Sequence, residues 1–202
     1  MLSIAKLLVV STAFLLGLAA QAQTPYTGAL LVARGMLTDP NFSESVVLLI
    51  RHNDNGTVGV IINRPTWVEP GQVSPELAEV HGDSGRVFFG GPVAPTRLVV
   101  LVSEPLPDDI EDLRVLDGVY VSSTADFLLD GEMNIGDESY LRMYAGHAAW
   151  APGQLAAEIA EGAWNVVPGR SEHVFSREPL ELWRDLDSPG SGLIAAVVPE
   201  LR

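Results

Sequence analysis

Four histidines, at positions 52, 81, 147 and 173, are the side chains of this sequence best suited to proton transfer near neutral pH. His52 ends an aliphatic run and precedes the turn Asn53-Asp54-Asn55-Gly56, which places an imidazole at a strand end, where a general base can stand. A base also needs a proton to take and a group that orients it, and no serine or aspartate is placed by motif to serve His52. It reads first as an imidazole finishing a strand. No histidine lies four residues from another and no H-E-x-x-H occurs, so spacing within one element predicts no metal site. Serine chemistry lacks its G-x-S-x-G elbow, and Gly190-Ser191-Gly192 falls in a tail where a strained nucleophile would not be held. Gly90-Gly91-Pro92 has the composition of an anion nest but reads first as a tight turn with a proline fixing its exit. No G-x-G-x-x-G joins a strand to a helix. The residues therefore predict no cofactor, no metal and no identifiable catalytic group.

The elements that position these residues begin after an N-terminal export signal. Lys6 supplies a short positive region, Leu7–Ala20 an apolar run, and Ala20-Gln21-Ala22 the small-x-small pattern of a cleavage site. Residues 1–22 are thus expected to be a cleaved signal peptide, residues 23–187 a single domain, and residues 188–202 a Gly/Ser-rich tail with an apolar end. The run is too short for a spanning helix and is followed by Gln23-Thr24-Pro25, so no stable membrane anchor is expected after cleavage. These features predict a periplasmic protein.

Beyond residue 22 the chain has no lysine and no cysteine. Schiff-base chemistry, a P-loop lysine, a thiol nucleophile, thiolate zinc and disulfides are all excluded there. The same part holds 11 Arg against 26 Asp and Glu, a net charge of −15. The arginines are scattered from Arg34 to Arg202 without a run. Nucleic-acid affinity rests on cations displacing phosphate counterions, so no nucleic-acid partner is expected.

Strand patterns dominate the first half. Ala29–Ala33 is followed by Ser45–His52 and Thr57–Asn63, two β-branched runs across an Asn/Asp/Gly turn that predict an antiparallel hairpin of central strands. Further strands are expected at Arg86–Phe89, Leu98–Ser103, Leu113–Val121 and Tyr140–Gly146. Short helices are expected from Ser74-Pro75-Glu76, from Ser123–Asp126, from Pro152 to about Trp164, and after Pro179. Trp150, Trp164 and Trp183 are expected as core residues around the last two helices, with Gln154 and Glu158 facing water.

The blocks Gly28–Ala33, Met36-x-x-Asp39-Pro40-x-Phe42, Gly59–Pro65, Phe88–Val93 and Trp150–Leu155, then Glu158, Trp164, Phe175 and Trp183, resemble the AlgH/YqgE family in order and spacing. The likeness covers about residues 27–186. It implies an α+β fold whose curved, largely antiparallel, barrel-like sheet is flanked by short helices. It carries over no catalytic or metal residue; members bear the label of transcriptional regulators. Its motif positions Asn63, Arg64, Gly90, Gly91, Trp150 and Gln154 stand as binding candidates. Where the family usually reads Gly-Tyr-Ala-Gly-Trp, this chain has Gly146-His147-Ala148-Ala149-Trp150.

Two functions of different class follow. One is a non-catalytic binding or interaction protein of the cell envelope, with a protein or small-molecule partner. The other is a hydrolase-like enzyme with a site assembled around His52 or His147. The regulator label is a third, which export would contradict, because an exported protein does not touch DNA.

Overall fold

β-branched and aliphatic residues crowd the first half of the chain, and the computed structural model pairs them into nine strands. It describes residues 26–35, 37–73, 75–78, 85–105, 113–122 and 140–188. The strands are β1 (Ala29–Ala33), β2 (Val46–Asn53), β3 (Gly56–Ile61), β4 (Val87–Phe89), β5 (Val93–Val102), β6 (Leu113–Leu116), β7 (Val119–Ser122), β8 (Leu141–Trp150) and β9 (Trp164–Pro168). They form one sheet in the order β6-β7-β5-β8-β3-β2-β1-β9, and β4 lies parallel to β8 as the only non-antiparallel pair among them. The sheet curls into a half-barrel: a Cβ on Gly28, beside β1, would lie 2.8 Å from the Val115 carbonyl of β6.

The β2–β3 hairpin forms as expected, with a bulge between Leu49 and Arg51. Both strands are buried on both faces because each presents apolar residues to two cores. Leu30, Leu48, Val60, Leu101 and Tyr144 point into one core, and Leu31, Val47, Ile61, Ala148 and Trp150 into the other. The helices are short: α1 (Pro70–Val73), a 3-10 turn (Pro75–Leu77), α2 (Gln154–Ala160), α3 (Ser171–Val174) and α4 (Leu182–Asp187). Val174, Phe175 and Leu182 of the α3–α4 segment pack into the first core, and Leu155 of α2 covers the second.

Four expectations change. The strand expected at Tyr140–Gly146 runs on to Trp150, and the helix expected from Pro152 starts only at Gln154, after Gly153 at φ 79°. That helix ends at Ala160, and Trp164 opens β9, because Gly162 at φ 81° turns the chain back beside β1. Leu113–Val121 is two strands, folded back at Asp117-Gly118 with Gly118 at φ 68°. β5 begins at Val93 rather than Leu98, its first half separated from the second by a bulge. The export signal, the helix start at Ser123–Asp126 and the tail from 189 lie outside the described residues, as does Ser74; next to it only the 3-10 turn stands where a helix is expected.

Candidate functional site

Several residues that carry the sequence likeness meet in one place. Trp150, closing β8, and Trp164, opening β9, have ring centroids 6.0 Å apart and cross edge to face. Glu158 on α2 lies between them. Its Oε2 accepts a hydrogen bond from Trp150 Nε1 at 2.9 Å and from Trp164 Nε1 at 2.8 Å. Its Oε1 accepts from Gln154 Nε2 at 2.8 Å, while Gln154 Oε1 accepts from the Ala151 amide at 3.0 Å. Half-buried Glu158 therefore turns inward; it satisfies two buried indoles at once, which would otherwise carry the cost of unmade hydrogen bonds.

Phe42 completes the cluster, 6.1 Å from Trp150 and 5.8 Å from Trp164. The turn that delivers it is fixed by Arg64, whose guanidinium donates to the carbonyls of Asn41 at 2.7 Å and Ser43 at 2.6 Å. Burial pushes the Arg64 pKa down, against the opposing charges of Glu44 and Asp39, and the side chain stays a cation. Asn63, almost fully buried, accepts from the Val46 amide and donates to the Glu44 carbonyl at 2.9 Å, holding Glu44 at φ 55°. Gly90 joins the sheet's two halves: its amide donates to Ala145 on β8 and its carbonyl accepts from Ile61 on β3, each at 2.8 Å. Gly91 crosses His147 so closely that a Cβ would lie 2.3 Å from the His147 carbonyl carbon. All six motif positions thus have a place in the framework.

The two histidines considered for catalysis lie apart. His52 Nδ1 meets Thr57 Oγ1 at 2.7 Å and its ring stands edge-on to Tyr26. Thr57 is buried, so this hydroxyl offers no accessible nucleophile. His147 lies on the opposite face of the sheet, with Arg51 and Arg97 as its charged neighbours; burial first, and these two cations next, lower its pKa. Trp183 packs on the first core instead of the second, donating to the Ala33 carbonyl at 2.7 Å. Among the described residues no group of three or more His, Asp and Glu could hold a metal ion.

A cleft of about 570 Å³ opens elsewhere, between the β5–β7–β8 end of the sheet and α3. Phe175 and Tyr140 stack in it with centroids 5.5 Å apart, Ser103, Ser171 and Ser176 line it with hydroxyls, and Arg177 and Glu172 bring one charge of each sign. Buried Arg142 builds one wall from beneath, donating to the Val174 carbonyl at 2.9 Å and the Ser176 carbonyl at 2.6 Å. The size falls within that of small-molecule sites.

A family model described as AlgH-like matches residues 30–188. The chain belongs to the AlgH-like family. A UPF0301 protein of Streptomyces coelicolor is 40% identical over 176 residues, covering 85% of this chain and 90% of that relative. A UPF0301 protein of Myxococcus xanthus is 36% identical over 172 residues, covering 84% and 92%. Among solved structures, a protein of Corynebacterium diphtheriae matches with a TM-score of 0.67 at 27% identity, over 83% of this chain and 90% of that one. The solution structure of AlgH from Pseudomonas aeruginosa matches with a TM-score of 0.63 at 28% identity, over 78% and 85%. The AlgH-like signature is thereby given a physical content in this chain: Phe42, Asn63, Arg64, Trp150, Gln154, Glu158 and Trp164 form one interlocked cluster. One working part of that cluster escaped the sequence reading, since Glu158 looked like a surface partner of Gln154. So did Arg142 beneath the cleft, unremarked in an apolar strand; the only hint for it was a charge at a position surrounded by Leu141, Met143 and Tyr144.

Proposed function

We propose that this AlgH-like chain is an exported, non-catalytic binding protein of the cell envelope. The observation that carries the binding reading is the cleft beside Tyr140 and Phe175, ligand-sized, with an aromatic wall, hydroxyls and one charge of each sign, whereas the motif residues are engaged in the framework. Export rests on Lys6, the Leu7–Ala20 run and Ala20-Gln21-Ala22. The −15 charge of residues 23–202 and their scattered arginines speak against the regulator label, because no stripe of cations follows a phosphate backbone.

One preparation tests both halves. Protein isolated from the periplasmic fraction of the native host is expected to begin at Gln23, and native mass spectrometry is expected to show a co-purifying ligand or partner that Ser171→Trp, which fills the cleft mouth, loses. Intact Met1 in soluble cytoplasmic protein overturns export. Equal retention of the partner by Ser171→Trp overturns the assignment to the cleft.

A further inference from the structure

Two arginines of this acidic chain, Arg51 and Arg97, flank one imidazole, that of His147. The described residues place no carboxylate within ion-pair distance of Arg51 or Arg97, and neither guanidinium donates a hydrogen bond among them. Register explains how they converge. Arg51 on β2 is opposite Val58 on β3, and Val58 is opposite Ala149 on β8, so the three share one face of the sheet. His147, two residues back along β8, points to that same face. Opposite it, β5 runs from Val93, the partner of His147, to Leu98, the partner of Ala145, and residues 94–97 bulge out between them. Ala94 at φ 47° turns the bulge, and the Arg97 charge at its far end acts on the His147 imidazole, as does that of Arg51. The cluster is open to solvent: Arg51 and Arg97 are exposed and His147 is half-buried.

We propose that Arg51, Arg97 and His147 form a binding site for a dianionic oxyanion of the phosphate type, free or carried as a phosphomonoester. Two guanidiniums supply the matching charge and forked donors, and the imidazole adds a donor from a third strand. The aliphatic side chains of Val58 and Val93 border the cluster on β3 and β5, giving an ester group apolar surface to rest on. The site shares β5 and β8 with the Tyr140–Phe175 cleft but lies toward the other ends of these strands, with no residue in common, and stands or falls independently of the binding role proposed for that cleft.

The imidazole of His147 reports occupancy directly. In the free protein its pKa is held down by burial, then by Arg51 and Arg97. A bound dianion offsets both cations, so the pKa rises. The experiment titrates His147 by NMR in the full mature chain, with inorganic phosphate, phenyl phosphate, or chloride at matched ionic strength. Both phosphates are expected to raise the pKa saturably and chloride not to. Equal affinity for the two points to the free ion as ligand; tighter binding of phenyl phosphate points to a carried phosphoryl group. The exposed double variant Arg51→Gln/Arg97→Gln is expected to fold, to show a higher His147 pKa without ligand, and to bind phosphate about tenfold or more weakly, the loss of charged hydrogen bonds. No saturable change up to about 10 mM phosphate, or the same response in the double variant, overturns the proposal.

Discussion

Trp150→Ala is expected to lower the stability of the protein by about 3–5 kcal/mol, the range for deleting a core aromatic ring. The ring is buried, lies in the second core with Leu49, Leu155 and Trp164, and touches Phe42. Its loss opens a cavity at the meeting point of β8, β9 and α2. It also removes one of the two indoles that hold Glu158, leaving the carboxylate with Trp164 and Gln154. Urea denaturation measures the effect. A midpoint unchanged from the parent, with capture of a purified partner abolished, would make Trp150 a binding residue instead of a framework residue.

Gly91→Ala is expected to cost about 3 kcal/mol or more, from two causes that act together. At φ 149° the backbone is in a region that side chains seldom adopt, with strain of roughly 1–3 kcal/mol. The added Cβ would also sit 2.3 Å from the His147 carbonyl carbon and 2.6 Å from the Ala148 nitrogen, both backbone atoms of a central strand that cannot swing aside. Overpacking of this kind adds roughly 1–3 kcal/mol. Since Gly90 bonds β3 to β8 next door, the damage falls where the two halves of the sheet join. Circular dichroism with thermal melting is the check; a variant that melts with the parent would show that the crossing is looser than the structure has it.

Local pattern made the fold legible in the sequence where one strand or one turn decides the outcome. The β2–β3 hairpin is such a case, because apolar runs and Asn53–Gly56 lie within a few residues of one another. Where a partner lies far along the chain, the sequence was silent. Trp164 belongs to a strand because β1 waits beside it, more than 130 residues earlier. Glu158 looked solvated because its i, i+4 neighbour is Gln154, and only the return of the chain at Trp164 and the end of β8 at Trp150 turns it inward. Arg142 has its carbonyl partners 32 and 34 residues away. The β6–β7 turn was lost for a different reason: four-residue strands on both sides of Asp117-Gly118 read together as one long run. Of the candidate site, the motif positions were visible but their roles were not. Asn63, Arg64 and Gln154 act on backbone groups as well as side chains, and backbone groups leave no mark in residue type.

In this chain the AlgH-like signature forms a structural clamp with Glu158 at its centre. A double-mutant cycle on Trp150→Phe and Glu158→Ala, followed by urea denaturation, tests it most directly. Glu158→Ala leaves the Trp150 and Trp164 N–H groups without their acceptor, and Trp150→Phe removes one of those orphans. The two changes are therefore expected to be non-additive, the double variant being about 1–2 kcal/mol more stable than the sum of the single losses predicts. Strict additivity, with Glu158→Ala as stable as the parent, would contradict the clamp and return Glu158 to the surface.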